Sequence, residues 1–127
     1  MNIQDNSNLS FKAKFINTKS LKEVVEYAEK NNKLLELDGA LNKLGNINGK
    51  DILIIHGKTP SGIYSSFRMG NRSVQNLSMG ASSPQESSYN AILELSTMGR
   101  KLKKLLGGDV KTNLTAEQII QKYGINA

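Results

Sequence analysis

DILIIHGKTPSGIYSSFRMGNRSVQNLSMGASSPQES, residues 51–87, sets three strand-like runs across short turns and then opens a helix. Ile52 to Ile55 is a continuous apolar run too short for a buried helix, so it predicts a central strand or one covered on both faces. Lys58-Thr59-Pro60-Ser61-Gly62 is turn chemistry. Ile63, Ser65, Phe67 and Met69 then alternate with Tyr64, Ser66 and Arg68, a period of two that buries one face. Gly70-Asn71 turns the chain again into Val74–Met79, where the alternation slips at Asn76-Leu77 and predicts a bulge. Ser83-Pro84-Gln85-Glu86 is a helix start. The serine oxygen accepts from the amide three residues on, the glutamate reaches back, and the proline has no amide to leave unpaired. The helix is expected to run to Leu106 with a division at Gly99, its stripe formed by Ile92, Leu95, Met98, Leu102 and Leu105. Ile54 and Phe67 should pack against Ile92 and Leu95.

Upstream, Met1 to Asn8 reads as a flexible tail and residues 9–127 as a single α+β domain. Leu9, Phe11, Ala13 and Phe15 alternate with Ser10, Lys12 and Lys14, which predicts a half-exposed strand. Ser20-Leu21-Lys22-Glu23 fits a second capping box. The helix behind it carries Leu21, Val24, Val25 and Ala28 on one face, with Asn31-Asn32 as its stop. Leu34, Leu37, Leu41 and Leu44 mark another helix, with Gly45 as its expected C-terminal cap. Thr115 with Gln118 opens a last short helix that ends at Tyr123-Gly124. The order is β-α-α-β-β-β-α-α. Three strands joined by short turns form a meander, so the expected fold is α+β, an antiparallel sheet of three to four strands with helices packed on one face.

A chain of 127 residues buries roughly two thirds of its unfolded surface, enough for a real core. The absence of cysteine excludes disulfides, zinc-thiolate sites and thiol catalysis. The longest apolar run, Ile52 to Ile55, is far below the roughly 20 residues of a membrane span. The polar N-terminus lacks a secretory pattern, and the cytoplasm is the expected compartment. The formal charge is +6, but of the 17 cations only Arg68, Arg72 and Arg100 are arginine. Arginine makes the bidentate contacts that phosphate and base recognition favour, so the excess of lysine reads first as a solvated surface.

His56 is the only histidine and lies at the end of the apolar run. Histidine catalysis needs a nucleophile and an orienting acid. Asp51, five residues back, would point to the opposite face of a regular strand, so a structural or exposed histidine is expected. Gly57-Lys58-Thr59 lacks the first glycine of a phosphate-binding loop, since Ile52 stands there, and it leads into a strand and not a helix. Glu23, Glu26 and Glu29 interleave with lysines and read as a solvated face. Ser82, Ser83, Ser87 and Ser88 read as capping and early-turn solvation. The helix-flanked run of three strands resembles double-stranded-RNA-binding domains in element order alone, because Ser82 to Ser88 holds no cation where that family places lysines. Neither a catalytic set, a cofactor motif nor a metal-ligand pattern emerges. The expected function is a small non-catalytic protein-interaction or accessory protein with a capacity for self-association. The alternative is a nucleic-acid binder using Arg68, Arg72, Arg100, Lys101 and Lys104 on one face.

Overall fold

A computed structural model describes residues 14–47, 50–75, 80–96 and 114–125. The strands are β1 (Phe15–Ile16), β2 (Ile52–Thr59), β3 (Gly62–Met69), β4 (Arg72–Val74) and β5 (Gly124–Ile125). The helices among the described residues are α1 (Lys19–Lys30), α2 (Leu34–Ile47), α3 (Pro84–Leu95) and α4 (Ala116–Tyr123).

The fold is α+β, but the sheet has five strands and is mixed. Its order is β4-β3-β2-β1-β5. β2, β3 and β4 form the antiparallel meander expected from their short turns. β1, in contrast, pairs in parallel with both β2 and β5. A purely antiparallel sheet of three to four strands is therefore incorrect. Two helices separate β1 from β2, and a crossover of that length returns the chain in the same direction, whereas a tight turn reverses it. β5 has two residues and no alternation to read, so it carries no strand signal of its own.

The tight turns explain the meander. Thr59 pairs with Gly62 across Pro60-Ser61, and Thr59 Oγ1 donates to the Gly62 carbonyl at 3.2 Å. Gly70 stands at φ +66°, the left-handed conformation a two-residue hairpin favours at its first central position. Residues 76–79, where the bulge was expected, and residues 97–113, where the helix was expected to continue, lie outside the described residues, as do residues 1–13.

The helix starts are partly as expected. Ser83 Oγ accepts from the Glu86 amide, and Thr115 with Gln118 completes a capping box. α1, however, is capped by Thr18, whose Oγ1 accepts from the Leu21 amide and donates to the Ile54 carbonyl. Ser20 is thereby released from capping. α2 runs through Gly45 to Ile47 and does not end at the glycine.

Strand residues enter the core from one face only. Phe15, Ile52, Ile54, Phe67 and Met69 join Leu21, Val24, Leu37, Leu41, Tyr89 and Ile92 in a single buried cluster, with Leu95 packed against it. Ile54 and Phe67 are thus buried as expected. The described helices all supply this one cluster.

Candidate functional site

The cross-strand register places His56 opposite Ser65, both on the helix-covered face. α1 brings Ser20 and Glu23 to the same point, and α3 brings Ser88. The His56 amide donates to Ser20 Oγ at 3.1 Å. Its ring is held at both nitrogens, Nε2 at 2.8 Å from Glu23 Oε1 and Nδ1 at 2.7 Å from Ser88 Oγ. Ser88 Oγ lies 2.7 Å from Ser65 Oγ. An ionised carboxylate only accepts, so Nε2 carries the proton. In the neutral ring Nδ1 then accepts from the Ser88 hydroxyl, and Ser88 accepts from Ser65. With the ring neutral, proton donation runs in one direction, Ser65 to Ser88 to His56 to Glu23.

This line of groups ties α1, β2, β3 and α3 together. The His56 side chain is 2% exposed and that of Glu23 32%. Ser65 and Ser88 are fully buried. Glu23 is the end that meets solvent, at a cleft of about 380 Å³ lined by Glu23, Glu26, Tyr27, Lys30, Ser83 and Gln85.

An acid, a histidine and a serine in contact are the parts of a hydrolytic triad. The setting differs from one. The Ser88 oxygen already serves both His56 and Ser65 and cannot be reached from outside. Ser88 also lies within α3, where backbone amides are engaged in helix bonds and cannot form an oxyanion hole. The geometry satisfies a buried polar network and does not present a nucleophile.

A second buried polar cluster lies nearby. The Tyr89 hydroxyl donates to Glu36, and Tyr27 packs against Tyr89 with ring centroids 5.5 Å apart and the planes tilted by 55°. Lys33 Nζ sits over both rings, 5.6 Å and 5.2 Å from their centroids. Burial, and then the Glu36 carboxylate, push the Tyr89 hydroxyl far above the usual phenol range. Burial and Asp38 do the same to Tyr123. Two hydrogen bonds from Ser82 hold the Glu86 carboxyl below its ordinary value.

Several site residues were read differently from sequence. Glu23 is a partner of His56 and not merely part of a solvated face. Ser87 and Ser88 are fully buried, in contrast to the solvated early turn expected for them. Glu29 accepts from the Ala116 amide at 3.0 Å and so docks α4 on α1. Asp51 does not engage His56 but accepts from the Lys14 amide at 3.0 Å.

The opposite face of the sheet has another character. Register puts Leu53, Ile55 and Gly57 of β2 beside Arg68, Ser66 and Tyr64 of β3, all facing away from the core. Ile16 and Ile125 pair on the same side, and Ser73 lies opposite Arg68. Ile55 is 40% exposed. No described element packs on this face, and Arg68 is the one charged residue its described strands place there, with the exposed Asp51 just before β2 on the same side. The sequence-predicted cations separate here. Arg72 pairs with Met69 and so belongs to the other face from Arg68, while Arg100, Lys101 and Lys104 lie outside the described residues.

Among the described residues no group of three or more metal-ligating side chains is arranged to hold an ion, and no helix is long and apolar enough to cross a membrane. Comparison with known protein families, characterised proteins and solved structures finds no match. The function has to be argued from this chain's own geometry.

Proposed function

We propose that this protein acts by binding and not by catalysis, as a protein-interaction or accessory protein of the cytoplasm. Its docking surface is the open face of the sheet. The observation that carries this is the placement of Leu53, Ile55 and Tyr64, flanked by Ile16 and Ile125, on a face where the described strands put a single charge. The chain as a whole is 22% charged, so an apolar strip of this kind departs from the rest of its composition. Contiguous apolar patches mark interaction sites because leaving them in water is unfavourable.

The His56 network supports the non-catalytic part. Each ring nitrogen and each serine oxygen has a partner within the fold, and the serines have no route to a substrate. Their role is to bind four elements in one register. The nucleic-acid alternative needs cations that converge, and Arg68 and Arg72 face opposite ways.

Two measurements test the proposal. A fluorophosphonate probe should leave Ser88 unlabelled, and labelling there would overturn the non-catalytic role. Ile55→Thr, which keeps the β-branched shape a central strand favours, should shift stability by no more than about 0.5 kcal/mol. Unfolding by this substitution would show that the face is interior and not a docking surface.

A further inference from the structure

We infer that His56 is a buried pH switch, in which protonation of the ring reverses the hydrogen-bond chain and loosens α3 from β3. This goes beyond the binding role of the open face and does not depend on it. Imidazole is the side chain that changes charge near neutral pH. The His56 side chain is 2% exposed, and its neighbour Glu23, 32% exposed, connects it to solvent at the cleft. The remaining members of the chain, Ser65 and Ser88, are fully buried.

A hydroxyl carries one hydrogen, so this chain has a direction. With the ring neutral, Nδ1 accepts from Ser88 across 2.7 Å, and Ser88 accepts from Ser65 across 2.7 Å. A proton from solvent on Nδ1 makes that nitrogen a donor. Ser88 Oγ then accepts from it and turns its own hydrogen to the other oxygen it touches, Ser65 Oγ. Hydroxyl hydrogens rotate, so the reversal needs no displacement of the heavier atoms. The Ser65 hydrogen loses the acceptor that Ser88 gave it, and a buried donor without a partner is unfavourable. On the opposite side, the 2.8 Å contact of the ring with Glu23 becomes charged at both partners and so strengthens. One proton therefore tightens α1 against β2 and weakens the hold of α3 on β3.

The elements around the ring bring few other charges. α1 contributes Glu23, with Glu26, Tyr27 and Lys30 along the same cleft. α3 contributes Glu86, whose carboxylate is turned to Ser82 and the Tyr27 hydroxyl. In β2, Lys58 shares the face of His56 two residues on and is exposed. β3 presents Ser65 there between the apolar Ile63 and Phe67, because Arg68 faces the other way. Glu23 is the charged group in contact with the ring.

NMR and hydrogen exchange of the ¹⁵N-labelled full chain from about pH 8 to about pH 5, the span in which histidine titrates, test this. His56 is the only histidine, so its ring signals are unambiguous. On acidification Nδ1 should pass from unprotonated to protonated. With the same midpoint, the opening constants of the Ser87 and Tyr89 amides in α3, corrected for the intrinsic pH dependence of exchange, should rise roughly three- to tenfold, the equivalent of one hydrogen bond. Those of the Val24 and Val25 amides in α1 should not rise. His56→Gln keeps a polar group at the site but cannot titrate, so the α3 opening constants should then be flat with pH. Ser88→Ala removes the link, so the ring should titrate without a response in α3, and this variant keeps the test open should His56→Gln fail to fold. A ring that stays neutral throughout, ring protonation with no change in α3, or an α3 response that persists in either variant overturns the switch.

Discussion

The two faces of the β2–β3 hairpin invert the usual expectation for polarity. The covered face holds a histidine and a serine, His56 and Ser65, in the same layer as Ile54 and Phe67. The open face holds Leu53, Ile55 and Tyr64. Alternation along a strand separates the faces, but side-chain chemistry alone does not say which one is inside. The covered face can include polar groups because Glu23, Ser20 and Ser88 arrive from two helices to satisfy them, and an unsatisfied buried group is what destabilises a fold. The open face can include apolar groups if something covers them in use.

Truncation should therefore have unequal effects on the two sides. Phe67→Ala, at a fully buried site on the covered face, should destabilise by about 3–5 kcal/mol in denaturant unfolding. Ser88→Ala removes the hydroxyl shared by His56 and Ser65, and should destabilise by about 1–3 kcal/mol because the ring nitrogen loses its donor in a buried site. A change near zero there would mean that the network contributes no structural stability. Ser83→Ala removes the α3 cap and should destabilise by about 0.5–2 kcal/mol. Ile55→Thr on the open face should have the smallest effect on stability, no more than about 0.5 kcal/mol.

A pH scan probes the covered side without mutation. Tyr89 and Tyr123 have folded-state pKa values raised above the unfolded value of about 10. Their stabilising contribution is fully present below that value. It is lost as pH rises beyond about 10, because the unfolded chain then releases phenolic protons that the fold retains. The melting temperature measured from pH 9 to 11 should fall across the upper part of that range. Glu86 works in the opposite sense. Its folded pKa is lowered, so its contribution is present above the ordinary carboxylate value and is lost as pH falls toward acid.

Much of the fold was legible in the sequence. The period-two run from Ile63 to Met69 gave the correct buried face, and the signals at Ser83 and Thr115 marked true helix starts. What was not legible is long-range. The parallel pairing of β1 with β2 and β5 arises from crossovers, and two-residue strands carry no periodicity. The site was hidden for the same reason. Glu23 and Ser88 lie 33 and 32 residues from His56 and meet it only through packing. Ser20 looked like a cap because it stands three residues before Glu23, yet Thr18 takes that role and leaves Ser20 to accept the His56 amide. A carboxylate partner is a common need of a lone histidine in an apolar strand, but spacing does not say which carboxylate meets it.

The most direct test is relaxation of side-chain methyl resonances by a soluble paramagnetic probe, which reads which face of the sheet meets solvent. The Leu53 and Ile55 methyl resonances should broaden strongly, while those of Ile54 and Ile92 stay sharp. Sharp Leu53 and Ile55 resonances, or broadening on the helix-covered side instead, would contradict a sheet closed on one face by its own helices and left open to a partner on the other.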